Sequence, residues 1–195
     1  MADFKKLTET LEALGYTVRS FATAQEAADY LDSAIDGVSV GIGGSITVQE
    51  MDLYPRLAAH NQVIWHWQGA SHTEAVSTDV YISSVNGLAE TGEIINIDGT
   101  GNRVASTIYG HKKVYLVVGV NKIAPDYDAA LWRARNIAAP KNAQRLNRQT
   151  PCAVKGDKCY NCKSPDRICN ALSVFWHRPG SCEMEIVLVD QELGY

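Results

Sequence analysis

Val38-Ser-Val-Gly-Ile-Gly-Gly-Ser-Ile-Thr47 is the stretch that decides how this chain is read. Val38 to Ile42 is a short apolar run, the length and composition of a buried strand. A glycine turn follows at once, and Ser45 or Thr47 then opens a helix over Val48-Gln-Glu-Met-Asp-Leu53. Strand, glycine turn, helix start: this order presents free backbone N–H groups and a positive helix end to an anion. Glycine allows close backbone approach, and the two hydroxyls add donors. No Gly-Lys-Ser/Thr occurs, so it is not a Walker loop, and Ile46 stands where G-x-G-x-x-G needs its third glycine. A tight turn that binds nothing is the plain alternative. Three glycines and two hydroxyls converging there favour a ligand loop, with Gly43, Gly44, Ser45 and Thr47 as its candidates.

Working outward, strands alternate with helices. Ala2 to Leu14 carries a helical stripe at Phe4, Leu7, Leu11 and Leu14, closed by Gly15. Tyr16 to Phe21 reads as a strand, and Thr23 with Glu26 forms a capping box for a helix to about Ile35. On the other side, Val63–Trp67, Asp79–Ser83, Glu93–Asp98, Lys113–Val118 and Glu185–Val189 read as strands. Thr73–Ser77, Leu88–Gly92, Val104–Tyr109 and Asp126–Ala138 read as helical, with Pro140 breaking or restarting the last of these. His66 is read as a polar residue on a strand face. The pattern predicts one α/β domain over 1–195, a layered and largely parallel sheet flanked by helices.

In such sheets ligands gather beyond the carboxyl ends of the strands. Four polar turns fall at strand ends: 41–47, 83–87, 98–103 and 119–122. Their convergence points to one small-molecule pocket. Asn86, Asn102, Arg103 and Asn121 are candidates to orient a ligand, while Asp98, as acid or base, and Lys122 are the catalytic candidates.

The segment Thr150–Asn170, TPCAVKGDKCYNCKSPDRICN, holds four of the five cysteines, Cys152, Cys159, Cys162 and Cys169, spaced C-x6-C-x2-C-x6-C. Turn-forming residues between them allow the outer thiolates to fold back onto the central pair. Four thiolates suit an iron–sulfur cluster, taken here as four-iron, or tetrahedral zinc as the alternative. Zinc more often shows two separate C-x-x-C knuckles. Disulfides do not suit a chain of this size without a secretory leader. Cys182 is read as a small buried apolar residue. No acid occurs between Asp128 and Asp157, where six Lys or Arg lie. That interval is either a solvated basic face or a counterweight to thiolates or an anionic ligand.

Net charge is −4 and charged content 21%, which gives no global pull toward nucleic acid or anionic membrane. No apolar run approaches the ~20 residues of a membrane span. The expected compartment is the cytoplasm. The expected partners are a small anionic metabolite, other redox proteins and a second copy in a homodimer.

GIGGSIT, DVYISSVNGLAETGEIINIDGTGNRVA and VYLVVGVNKIAPDYDAALWRAR together resemble the LUD domain of the lactate-utilisation protein family, over roughly residues 5–190. The cysteine segment resembles a short subgroup of it. The resemblance implies the fold of ribose-5-phosphate isomerase, glucosamine-6-phosphate deaminase and the CoA transferases. It implies a ligand loop at Gly41–Thr47, and a multi-protein system with iron–sulfur subunits. The acidic motif of the sugar-phosphate isomerases is not matched, since Ser83-Ser-Val-Asn86 carries no carboxylate. The catalytic glutamate context of the CoA transferases is missing too, as is any flavin or nicotinamide motif. Two readings follow. One is an enzyme or subunit acting on an anionic carboxylate or sugar-like metabolite beside an iron–sulfur cluster. The other is a non-catalytic accessory or redox-sensing protein with structural zinc or a cluster.

Overall fold

The structure is a computed structural model describing residues 3–195, so the start of the expected first helix at Ala2 lies outside it. In chain order the strands are β1 (Thr17–Phe21), β2 (Ser39–Ile42), β3 (Gln62–Trp65), β4 (Val80–Ser84), β5 (Gly87–Ala89), β6 (Ile94–Asp98), β7 (Lys113–Gly119), β8 (Ile123–Ala124), β9 (Ala171–Phe175) and β10 (Glu183–Val189). Six form one sheet in the order β1-β10-β7-β4-β2-β3, with every neighbouring pair parallel. The central strands are apolar runs because both faces are covered. Along β7, Leu116 packs on one face and Val117 on the other, and Ile186 and Val187 of β10 do the same. One face is covered from Leu7 and Leu11 of the first helix, the other from Leu31, Leu53 and Leu57. The expected layered, parallel α/β architecture is therefore present.

A second sheet, in the order β8-β5-β6-β9, sits at the edge of this frame and mixes directions. The sequence reading made Leu88–Gly92 a helical turn. Instead β5 pairs with β6, and Gly92, at φ +106°, closes the hairpin between them. The helix Tyr127–Arg133 and the turn that follows it pack on this sheet through Ala130 and Ala134, close enough that a Cβ on Gly87 would stand 2.6 Å from the Ala130 carbonyl oxygen. Pro140 restarts the helix, sitting in the first turn of Ala139–Arg145 as one of the two expected outcomes. A π-helical turn, Ala134–Ala138, precedes it and passes the chain into Ala139–Arg145. Strand β3 stops at Trp65, because His66 begins a 3₁₀ turn, so the alternation expected through Trp67 ends early. In the cysteine segment Pro151–Lys155 is helical, and β9 follows the last cysteine. Neither was foreseen. Thr23 and Glu26 do form the capping box.

Candidate functional site

The carboxyl ends of β2, β3, β4 and β7 open on one side of the parallel sheet, and a cavity of about 370 Å³ lies there. Its walls include Gly44 and Ser45 after β2, His66 and Trp67 after β3, Ser84 and Asn86 at the end of β4, and Lys122 after β7. Asp98, Asn102 and Arg103 close it from the second sheet, and Asn142, Arg145, Arg148 and Tyr195 form its rim. Its size suits a small metabolite.

Lys122 is at the bottom, 3% exposed. Its Nζ donates to Thr47 Oγ1 at 2.7 Å and to Ser84 Oγ at 2.9 Å. Burial pushes its ammonium down from 10.5 to about 7, and the nearby charges of Arg133 and Arg103 push the same way; Glu50 opposes them. Arg133 is buried behind it. Its Nε donates to the Asn121 carbonyl at 2.7 Å and its Nη1 to the Asn86 carbonyl at 2.6 Å, so one guanidinium ties two strand-end turns together.

Arg103 is a second tie. Nη1 donates to Asn96 Oδ1 at 2.5 Å and Ser84 O at 3.3 Å. Nη2 donates to Ile97 O at 2.6 Å and Asn86 Oδ1 at 3.2 Å. Protein oxygens thus take its four terminal hydrogens, and Arg103 offers the cavity charge rather than a hydrogen-bonding fork. Asp98 is similarly engaged. Oδ1 accepts from the N–H groups of Thr100 and Gly101 at 3.1 and 3.0 Å, and Oδ2 from that of Val104 at 3.1 Å. The carboxylate therefore pins the turn that opens the helix Asn102–Ile108, in a cavity wall.

The sequence-derived candidates divide. Gly44, Ser45, Asn86, Asp98, Asn102, Arg103 and Lys122 line the cavity together. Gly43 packs behind it, where a Cβ would stand 2.8 Å from the Tyr81 hydroxyl and 3.2 Å from Arg103 Cγ. Thr47 faces Lys122 and donates to the Leu193 carbonyl at 3.2 Å. Ser45 Oγ caps the short helix Ile46–Glu50 by accepting from the Val48 N–H. Asn121 turns away, its amide clasping Leu193 and Gly194 at 3.1 and 3.3 Å.

Several wall residues were not among the candidates, His66, Arg145 and Tyr195 foremost. His66, read as a plain strand residue, stacks on His72 with ring centroids 4.3 Å apart. Burial holds the His66 imidazolium below its usual range, and His72 and Arg145 add to that. Tyr195 bonds Arg145 through its hydroxyl at 2.8 Å. Arg145 in turn lies over the Trp67 ring. The acid-free interval was the one available signal for this rim.

A second cavity, about 310 Å³, is lined by Cys159, Cys169, Arg135, Arg167 and neighbours, and shares Ile97 and Ala139 with the first. Cys159 Sγ accepts from Arg135 at 3.8 Å and from the Asn161 N–H at 3.4 Å. Thiols with such donors have the chemistry of soft-metal ligands. All five cysteines are free, and among the described residues no three His, Cys, Asp or Glu are gathered closely enough to hold one metal ion. The donor type fits a thiophilic centre, but the four sulfurs are not gathered into one cage among the described residues. Cys182 is buried in the core beside Met184 and Ile186, as expected.

The LUD domain family model matches residues 4–189. Among solved structures, the chain is similar to a DUF162 family protein from Deinococcus radiodurans at 14% identity, covering 94% of both chains with a TM-score of 0.56. That likeness shows the fold alone. It also resembles ribose 5-phosphate isomerase from Plasmodium falciparum at 11% identity, over 52% of each chain with a TM-score of 0.36. A further likeness is to eIF2B beta from Chaetomium thermophilum at 17% identity, over 63% of this chain and 43% of that one, with a TM-score of 0.33. No match was found among curated proteins. No helix of the described residues is long and apolar enough to cross a membrane.

Proposed function

The chain belongs to the LUD-domain family and is thereby related to lactate utilisation, and on that premise we propose that the strand-end cavity binds a small anionic carboxylate metabolite as an enzyme or enzyme subunit. One observation carries this reading: the charge of the wall. Lys122, Arg103, Arg145 and Arg148 line the cavity, whereas Asp98 is the one acidic residue among the lining residues. Asp98 is already surrounded by three backbone donors. Lys122 is buried and Arg103 largely so, with the Asp98 carboxylate 4.0 Å from Arg103. Arg145 and Arg148 are exposed at the rim, and Arg148 pairs with Asp166 at 3.1 Å. An anion in the cavity relieves the cost of the buried charge. The walls divide the work. Lys122 and Arg103 supply positive charge at the bottom, and the Nδ2 groups of Asn142 and Asn86, whose Oδ1 atoms are already taken, orient oxygen atoms. Trp67 and Tyr195 restrict the opening.

Calorimetric titration with lactate, pyruvate and inorganic phosphate tests this reading. A carboxylate is expected to bind, and Arg145→Ala to weaken it about tenfold, the effect of one hydrogen bond to a charged group. Absence of binding by all three anions would remove the proposal.

The cysteine segment is proposed to take up a thiophilic metal, an iron–sulfur cluster or zinc. The support is its donor chemistry and its wall shared with the anion cavity. Anaerobically purified protein is expected to hold about four irons per chain, or about one zinc. Serine in place of Cys152, Cys159, Cys162 or Cys169 should each lower that content, and Cys182→Ser should not. Full retention in two of the four variants refutes the assignment.

A further inference from the structure

Lys122 is held in a way that an anion anchor does not require. Both of its hydroxyl partners have their own hydrogen committed elsewhere: Ser84 Oγ donates to the Val117 carbonyl at 2.6 Å, and Thr47 Oγ1 to the Leu193 carbonyl at 3.2 Å. Each hydroxyl can therefore only accept from Lys122, so two directions around Nζ are fixed as N–H donations. One tetrahedral direction is left over. Gly194, at φ +59°, lies close by, and a Cβ there would come within 3.3 Å of Nζ and 2.7 Å of Thr47 Oγ1, so a larger residue would crowd the amine and its partner. Lys122 itself lines the cavity. Among the described residues Lys122 forms no ion pair with a carboxylate, although the charge of Glu50 reaches it.

We propose that Lys122 is a nucleophilic amine that condenses with the carbonyl of a small 2-oxo or aldehyde acid, a role that rests on the anion-binding cavity described above. The unprotonated Nζ directs its lone pair along the free direction and attacks the carbonyl carbon. A C–N bond forms, and the carbonyl oxygen takes up a proton. The resulting carbinolamine loses water, leaving a C=N bond between Nζ and the acid. The carboxylate of the same molecule lies in the field of Arg103 and of the rim arginine Arg145. Thr47 and Ser84 hold the amine in place up to the attack, which makes them positioning residues. Its two N–H hydrogens leave as the carbinolamine forms and loses water, and a protonated imine keeps one to donate to either hydroxyl. A low ammonium pKa keeps a substantial fraction of the amine neutral near pH 7.

The experiment uses the full chain with pyruvate and glyoxylate, cyanoborohydride to reduce any imine, and peptide mass mapping of every lysine. Lactate, which has no carbonyl, serves as the parallel ligand in titration. The expected result is an adduct at Lys122 with the mass of the acid less one oxygen atom. Its yield should exceed that at any surface lysine by at least about tenfold, since surface amines are almost wholly protonated at neutral pH. Ser84→Ala should lower the trapping yield of pyruvate by a larger factor than it lowers lactate affinity, because it misplaces the amine without removing charge. If lactate and pyruvate bind and no adduct forms at Lys122, the residue is an ammonium anchor and this inference is overturned, while the anion reading stands. If no acid binds and none is trapped, both fail. Labelling spread evenly over the lysines also overturns it.

Discussion

Lys122→Met is expected to make the protein more stable at pH 7, by about 3 kcal/mol, while abolishing imine trapping of a 2-oxo acid. Each pKa unit is worth about 1.4 kcal/mol, so the fall from 10.5 to about 7 is a large unfavourable contribution of the protonated amine to the folded state. Methionine is unbranched and similar in length, and it fills the same channel without a charge. The groups left behind lose little, because Thr47 and Ser84 keep the carbonyls to which they donate and give up only an accepted bond. Stability bought back in this way would mark the lysine as a functional residue retained against the fold.

The sign with pH follows. Between about 7 and the ordinary lysine value of 10.5 the unfolded chain holds a proton on Lys122 that the folded chain has released. Stability from this group therefore rises with pH across that window, and below about pH 7 the penalty is at its full, constant value. Urea unfolding at pH 7 and pH 9.5 should show the wild type gaining relative to Lys122→Met as pH rises. A constant difference between the two proteins would mean that Lys122 is not depressed.

The elements whose signal is local were legible in the sequence. The parallel strands show as apolar runs, Thr23 and Glu26 as a box three residues apart, and the strand-end turns as glycine and amide clusters. The convergence of those turns on one cavity follows from the parallel sheet itself. What could not be read depends on partners far along the chain. Arg133 looked like part of a solvated basic face, yet its acceptors are carbonyls at Asn86 and Asn121, and backbone carbonyls leave no mark in a sequence. Asp98 and Arg103 were chosen for chemistry. Their residue types suited it, but backbone and amide groups in the second sheet engage most of their hydrogen-bonding capacity. Residues 171–175 became a strand only because β6 offered an edge, and the short Gly87–Ala89 strand was hidden by its likeness to a helical turn.

Arg103→Met should have the opposite effect to Lys122→Met, although both replace a buried cation by the same side chain. It is expected to cost about 3–5 kcal/mol of stability, the range for leaving buried polar partners uncompensated. Arg103 bridges the two sheets. It holds Ser84 and Asn86 at the end of β4 against Asn96 and Ile97 of β6. Its removal strands these oxygens in a half-buried wall, and Asn96 already has an Nδ2 buried without a hydrogen bond among the described residues. Arg103→Lys should recover only a minor part, since one ammonium cannot reach four oxygens in two planes. Asp98 would also lose the guanidinium 4.0 Å from its carboxylate. Urea unfolding of the three proteins at one pH decides the matter. Ligand affinity should fall in both Arg103 variants, but through loosening of the wall, so the loss should be larger in Arg103→Met than the removal of one charge produces. If Arg103→Met unfolds at the wild-type urea midpoint, the bonds at this junction do not hold the second sheet to the first, and the cavity must be shaped from the parallel sheet alone.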